Sequence, residues 1–546
     1  MEPLFPFGYG LSYTAFGISG EEVSVNGTAV SVTVQVQNTG DVPGKETVQL
    51  YVSAPEGRLP QPYQSLVAFE KTKELGPGET CGITMTFDAA AMASYDETKS
   101  AYLLEPGTYL LRVGNSSRNT RVAGAIEIPE EIATRKVKSC LGRPDFQDYV
   151  PEKRRERPAP DSASGIVIPA EAFDREEAEY KAAYEIDPEV RGLSDEELLH
   201  LAIGYFDPKG GLTGMIGNAG SLVAGSAGET AHIAGSRPLI MADGPAGLRI
   251  AKNYFEDDKG VHSMAPPMPE SMMPFAPGIV KLFLKLGTKK PKNPEAIREQ
   301  YCTAIPIGTA IAQSWNTEFA EICGDIVGTE MEIFHIDLWL APALNIHRSI
   351  RCGRNFEYYS EDPLISGKMA AHITKGVQRH PGKDVTIKHF AANNQEYNRT
   401  FNNSLVSERA MREIYLKGFE LCVKEARPAA VMTSYNLING QHASTRRDLI
   451  EDILRSEFGF DGIVMTDWVI NGGMVPKDAK YPGPKPAEVA AAGGDLFMPG
   501  SKKDYESLEA DYRKGTVTKQ QLQINAGRIL RASRRAEQSG QTMLHG

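Results

Sequence analysis

Residues 459–468 read GFDGIVMTDW, and this stretch decides the reading of the chain. Gly462, Ile463, Val464 and Met465 are apolar without alternation, and Thr466, Asp467 and Trp468 follow at once. A strand wet on one face alternates with period two, so an unbroken apolar run predicts a strand covered on both faces. The same grammar recurs upstream and downstream. Pro238–Ala242 runs into Asp243, Leu338–Leu344 into Asn345-Ile346-His347-Arg348, and Val385–Ile387 into Lys388-His389-Phe390. Ala429–Met432 leads to Tyr435-Asn436, and Leu496–Met498 forms a sixth run.

Between these runs the period changes to 3.6. Phe319, Ile322, Cys323, Ile326, Val327, Ile333 and Phe334 share one face of 317–335, predicted here as the buried face. A second helix starts at Ser407 as N-cap, with Glu408 in its first turn and Ala410, Ile414, Leu421 and Cys422 inward. About 350 residues of strand and helix in alternation predict a (β/α)8 TIM-type barrel over 193–546. No G-x-G-x-x-G or Walker A sequence follows any of the strands, which disfavours nucleotide binding.

In a barrel the strand ends converge on one mouth. A single Asp there is usually a cap or a turn residue. Five ends carrying Asp, Arg, Lys, His, Tyr and Trp predict a polar-ligand site, and the mixture suits a sugar: charged groups bind hydroxyls while an indole covers the ring face.

The N-terminal part has a different rhythm. Val30, Val32, Val34 and Val36 alternate with Ser31, Thr33, Gln35 and Gln37, and Val48-Leu50-Val52, Ile83-Met85-Phe87 and Tyr109-Leu111-Val113 repeat the pattern. Turn clusters such as Asn38-Thr39-Gly40-Asp41 and Gly76-Pro77-Gly78 separate them. The expectation is a fibronectin-III-like β-sandwich over 17–130, followed by a Pro- and charge-rich linker over 131–192 that packs along a neighbour. The run Lys153-Arg154-Arg155, flanked by Glu152 and Glu156, reads as a solvated linker patch.

Composition excludes several function classes. The chain has 546 residues, with 59 Lys+Arg against 70 Asp+Glu for a net charge of −11. That balance disfavours nucleic acid as the main partner. No apolar run reaches the ~18 residues of a membrane span, and no basic-then-apolar leader opens the chain. Six scattered cysteines without a C-x-x-C pair point to a reducing, cytoplasmic setting. Ten histidines form no H-x-H or H-E-x-x-H pattern, so neither a metal nor another cofactor is expected.

At five places the sequence resembles glycoside hydrolase family 3. These are MADGPAGLR (Met241 to Arg249), CGRNFEYYSEDP (Cys352 to Pro363), KHFAANNQEYNR (Lys388 to Arg399), VMTSYNLING (Val431 to Gly440) and GFDGIVMTDW. The resemblance implies a retaining β-glycosidase, most often a β-glucosidase, acting on terminal β-D-glucosides through a covalent glycosyl-Asp intermediate. It implies Asp467 as nucleophile. It implies sugar binding by Asp243, Arg354, Lys388, His389, Arg399, Met432, Tyr435 and Trp468. Other roles stay open for three of these: Arg354 can join Glu357, Glu361 and Asp362 in an ion-pair network, Arg399 can pair with Glu396, and Met432 can simply pack.

Residues 2–16, EPLFPFGYGLSYTAF, look like the closing stretch of that family's α/β-sandwich domain, so 1–16 is expected to be its remnant. The barrel then comes last, as in inverted-order members. In typical members the acid/base Glu lies on the α/β-sandwich domain. The His-bearing alternative motif of the N-acetylglucosaminidase branch is replaced here by Ala391-Ala392-Asn393-Asn394. The acid is therefore expected from a domain absent from this chain, with a separate α/β-sandwich polypeptide as the partner that would supply it. If the barrel holds an acid of its own, Glu357, Glu396 and Asp495 are the first carboxyls to test. The alternative function is a catalytically silent carbohydrate-binding or scaffold protein.

Overall fold

The computed structural model describes residues 3–150, 165–181, 183–207, 222–233, 235–258, 260–264, 291, 293–471 and 480–543, with side chains to residue 537. The Lys153-Arg154-Arg155 run lies outside these residues.

Two antiparallel sheets form the N-terminal unit. One joins β1 (Phe16–Asn26), β2 (Ala29–Asn38) and β5 (Thr80–Asp88); the other joins β3 (Thr47–Ser53), β4 (Ser65–Lys71), β6 (Gly107–Ser116) and β7 (Asn119–Ile128). The register places Val30, Val32, Val34 and Val36 opposite Phe87, Met85, Ile83 and Cys81. All four valines are fully buried against Val48, Leu50, Leu111 and Val113, while the hydroxyls of Ser31 and Thr33 pair with Thr86 and Thr84 on the wet face. Period two in the sequence thus becomes one dry and one wet face.

The segment that follows is built into its neighbours. β8 (Ile132–Lys136) starts a ladder with Ala101–Leu104, and β9 (Ile166–Val167) adds a parallel strand beside β7. Ile168, Ala170 and Phe173 then enter the sandwich core.

In the C-terminal part β11 (Ile240–Ala242), β12 (Leu338–Trp339), β13 (Asp384–Phe390), β14 (Ala430–Thr433) and β15 (Ile463–Met465) lie side by side, all parallel and in chain order. Helices α1 (Thr317–Ile333), α2 (Pro363–Gln378) and α3 (Lys417–Ala426) fall between them. Leu496 continues the sheet beside Met465. Phe497 N–H donates to Ala202 O, Gly204 N–H to Phe497 O, and Tyr205 N–H to Glu229 O, which links the two sheet edges through 202–205. One departure from a regular eightfold repeat stands out. β10 (Gly228–Glu229) runs antiparallel to β11, and the described residues between them form no helix.

A second departure concerns α1. It buries Ala320, Cys323, Gly324, Val327, Gly328 and Met331, whereas Ile322, Ile326 and Ile333 are exposed. The inward face is therefore rotated toward the small residues. The reason is close packing against α2: a Cβ at Gly324 would lie 2.0 Å from Ile373 O, and one at Gly376 2.1 Å from Glu321 O. Small residues at this crossing displace the larger isoleucines outward.

No described helix is long and apolar enough to cross a membrane.

Candidate active site

Asp467 stands two residues beyond β15, is 8% exposed, and accepts the Trp468 N–H at 2.7 Å through Oδ1. Its Oδ2 is buried without a hydrogen-bond partner. Burial raises the carboxyl above the ordinary Asp range, opposed by the charges of Arg354 and Lys388, the Trp468 N–H and Arg399. The result is a carboxyl whose proton affinity is raised by burial and tempered by surrounding cations, with one oxygen uncommitted.

β13 supplies the next two groups. Its register against β14 shifts between Lys388 and Phe390, and a bulge of this kind re-aims side chains that would otherwise point to opposite faces. Lys388 Nζ donates to Asp243 Oδ1 at 2.8 Å, and His389 Nε2 lies 3.6 Å from Asp467 Oδ2. Asp243, at the end of β11, is also paired with Arg249, whose N–H donates to the Asp243 carbonyl at 2.8 Å. Although half-buried, the Asp243 carboxyl is held well below the usual range by Lys388 and Arg249. It is an anion that fixes a lysine and has no proton to give.

His389 is fully enclosed, and burial together with Arg354, Lys388 and Arg399 pushes it well below its ordinary value, so the ring is neutral. Asn345 clasps its backbone: the amide Nδ2 donates to His389 O at 2.8 Å and Oδ1 accepts His389 N–H at 2.9 Å.

Arg354 is paired with Glu357 and lies over the Tyr358 ring. Asp362 instead caps α2, accepting from Leu364 and Ile365 N–H. Arg399 donates to Glu396 Oε2 at 2.9 Å and stacks 4.3 Å over Tyr435. The Tyr435 hydroxyl donates to Trp468 O at 2.7 Å, and the half-buried Trp468 indole donates to Ala227 O at 2.8 Å. Eight of the nine residues named from the sequence thus surround one mouth. Met432 sits differently, 1% exposed among Met241, Leu338 and Met465 in the apolar cluster inside the strands.

Asp495 precedes the strand end rather than following it. Its carboxylate is bonded to Arg455 at 2.7 Å, Arg528 at 2.9 Å and Val464 N–H at 2.7 Å. This is a structural anchor on the opposite end, so it cannot serve the mouth. Glu357 and Glu396 are at the mouth but each is engaged by an arginine, and Glu396 also accepts from Asn393 at 2.9 Å.

Residues not singled out from the sequence complete the site: Asn345, Tyr358 and Arg249. All three lay inside strand ends or motifs already noted. Asn345 and Tyr358 are betrayed by His389, a partner across strands that no spacing rule reveals, and Arg249 by its turn back onto Asp243.

The arrangement is one buried carboxylate with an oxygen free of hydrogen bonds, set among cations and aromatic planes. Residues 295–532 match the model described as glycosyl hydrolase family 3 N terminal domain, and 46–117 match the fibronectin type III-like domain. Similar proteins include β-glucosidase A of Butyrivibrio fibrisolvens, 34% identical over 85% of this chain and 56% of that one. A β-glucosidase of Ruminococcus albus is 32% identical over 96% and 52% of the two chains. Among solved structures, a β-glucosidase from Paenibacillus barengoltzii matches with TM-score 0.73 and 32% identity over 98% of this chain and 56% of that one. β-Glucosidase 3B from Thermotoga neapolitana, in complex with α-D-glucose, matches with TM-score 0.51 and 36% identity over 64% and 43%. The family model and the relatives support glycoside hydrolase family 3 for this chain, which spans about half the length of the curated relatives named.

Proposed function

We propose that this chain carries the glycone site and nucleophile of a retaining β-glucosidase, with Asp467 attacking the anomeric carbon. The observation that carries this reading is Asp467 Oδ2: a buried carboxylate oxygen with no hydrogen-bond partner, among Arg354, Lys388 and Arg399. Attack breaks the glycosidic C–O bond, expels the aglycone and leaves a glycosyl ester on Asp467; water then cleaves that ester, releasing the sugar and restoring the carboxylate. The Asp243–Lys388 pair and neutral His389 bind glucose hydroxyls, and Trp468 lies against the ring.

A retaining mechanism needs a second carboxyl about 5–5.5 Å from the first. Among the described residues Asp243, Glu357 and Glu396 are all committed to cations. The acid/base therefore comes from outside the described residues, and an α/β-sandwich domain is the supplier that the 2–16 segment suggests. That segment contributes little to the core here: Leu4, Leu11 and Tyr13 are exposed, while Phe7 packs at a tilt against Trp315. The fibronectin-like match precedes the hydrolase match, and the R. albus alignment runs through 96% of the chain; both support a barrel-last order.

Incubation with an activated 2-fluoro-β-glucoside, followed by intact mass and peptide mapping, tests the reading. A stable adduct on Asp467 is expected. An adduct elsewhere, or none, removes Asp467 as nucleophile.

A further inference from the structure

Asn345 does more than close the end of its strand. Its amide has one possible orientation, because a backbone carbonyl only accepts and a backbone N–H only donates: Nδ2 faces His389 O and Oδ1 faces His389 N–H. This leaves Oδ1 also 3.3 Å from His389 Nδ1. An acceptor fixed there favours a proton on Nδ1. The Tyr358 hydroxyl, 3.5 Å from the same nitrogen and already accepting from Asn393 Nδ2 at 3.0 Å, is compatible with that state, since a hydroxyl can accept as well as donate.

A neutral imidazole carries one ring proton. With that proton on Nδ1, Nε2 presents a lone pair toward the mouth, 3.6 Å from Asp467 Oδ2. Two acceptors then face the same space.

We infer that Asn345 is a positioning residue that locks His389 in the Nδ1–H tautomer. The Nε2 edge of the site thereby selects a sugar hydroxyl able to donate, and discriminates against a group that only accepts. The choice of ligand rests on the β-glucosidase reading; the tautomer does not.

The tautomer is tested on the free protein labelled with ¹⁵N-histidine, by long-range ¹H–¹⁵N correlation, with His389 assigned from its loss in His389→Gln. The expected result is a neutral Nδ1–H ring throughout about pH 5–8, where an ordinary histidine titrates. Asn345→Ala should populate the Nε2–H form. Asn345→Asp, nearly isosteric, should keep Nδ1–H but bring His389 into titration by placing a charge beside it, so the test survives if the alanine variant does not fold. An Nε2–H ring in the parent overturns the inference, as does an unchanged ring in both variants.

Calorimetry with D-glucose, its monodeoxy forms and the matching deoxyfluoro forms gives the second arm. Fluorine accepts but cannot donate. At one position both analogues should bind on the order of tenfold more weakly than glucose, with fluorine rescuing nothing. A fluoro analogue bound as well as glucose at every position overturns the selectivity claim. Failure of glucose itself to bind counts against the glucosidase reading and leaves the tautomer to be decided by the spectra.

Discussion

The charged residues at the mouth sit in one another's fields, and Asp467 shows the consequences most directly. Its pKa is raised by burial, so the native state holds the proton more tightly than the unfolded chain does. Stability from that carboxyl is therefore present at low pH and lost as pH rises through the folded value. At neutral pH Asp467→Asn should abolish turnover while leaving the thermal midpoint equal to or above that of the parent, the pattern of a residue kept for chemistry at a cost in stability. A lowered midpoint would mean that the surrounding cations need the charge more than burial penalises it. The same shift governs activity. Attack requires the ionised form, so the acid limb of kcat/KM should lie above the ordinary Asp value of about 3.9, and removing the Arg354 charge (Arg354→Met) should move it further upward. A pH profile of both proteins checks the sign. Asp243 acts in the opposite sense, as a permanent anion for Lys388, whose side chain is 4% exposed. Asp243→Ala should cost glucose binding about 1–3 kcal/mol by calorimetry, because it strands a buried ammonium.

At the scale of elements, the sequence shows what repeats and hides what crosses. The strands after residue 230 were legible because an unalternating apolar run has few other readings, and β11 to β15 fall within or beside the runs. The valines of β2 were legible for the complementary reason. The inward face of α1 was not, because hydrophobicity ranks Ile322 and Ile326 above Gly324 and Gly328, whereas the α1–α2 crossing is decided by backbone approach. The antiparallel β10 was equally hidden: two residues, Gly228 and Glu229, give no periodicity. The crossing carries a prediction. Gly376→Ala puts a methyl 2.1 Å from Glu321 O, so it should lower stability by about 1–3 kcal/mol in urea unfolding without altering the pH profile of activity. A silent substitution would show that α1 can move aside.

Across the whole molecule, the sandwich and the strand-and-helix part are joined by charge as well as by apolar contact. Arg135 of β8 donates to Glu420 Oε1 at 2.8 Å and to Glu457 O at 2.6 Å. Arg412, itself buried beneath the Tyr95 ring, binds Glu408 at 2.9 Å and Glu457 at 2.6 Å. This fixed base sets the mouth in place, and it makes the source of the proton the decisive question for the whole molecule. If Asp467 works while the acid lies outside the described residues, the rate depends on how much proton the leaving group needs. An activated aryl β-glucoside departs as a stable phenolate and should be cleaved by this chain. Cellobiose departs as a sugar alkoxide and should be slower by at least the ~10²–10⁴-fold that general acid catalysis supplies. Adding an α/β-sandwich polypeptide should then raise cellobiose cleavage far more than aryl-glucoside cleavage, because only the former gains a proton in its transition state. Comparable rates on both substrates from this chain alone would place an acid within it, and Glu357→Gln and Glu396→Gln would show which one: the acid's loss should abolish cellobiose cleavage while sparing the aryl glucoside.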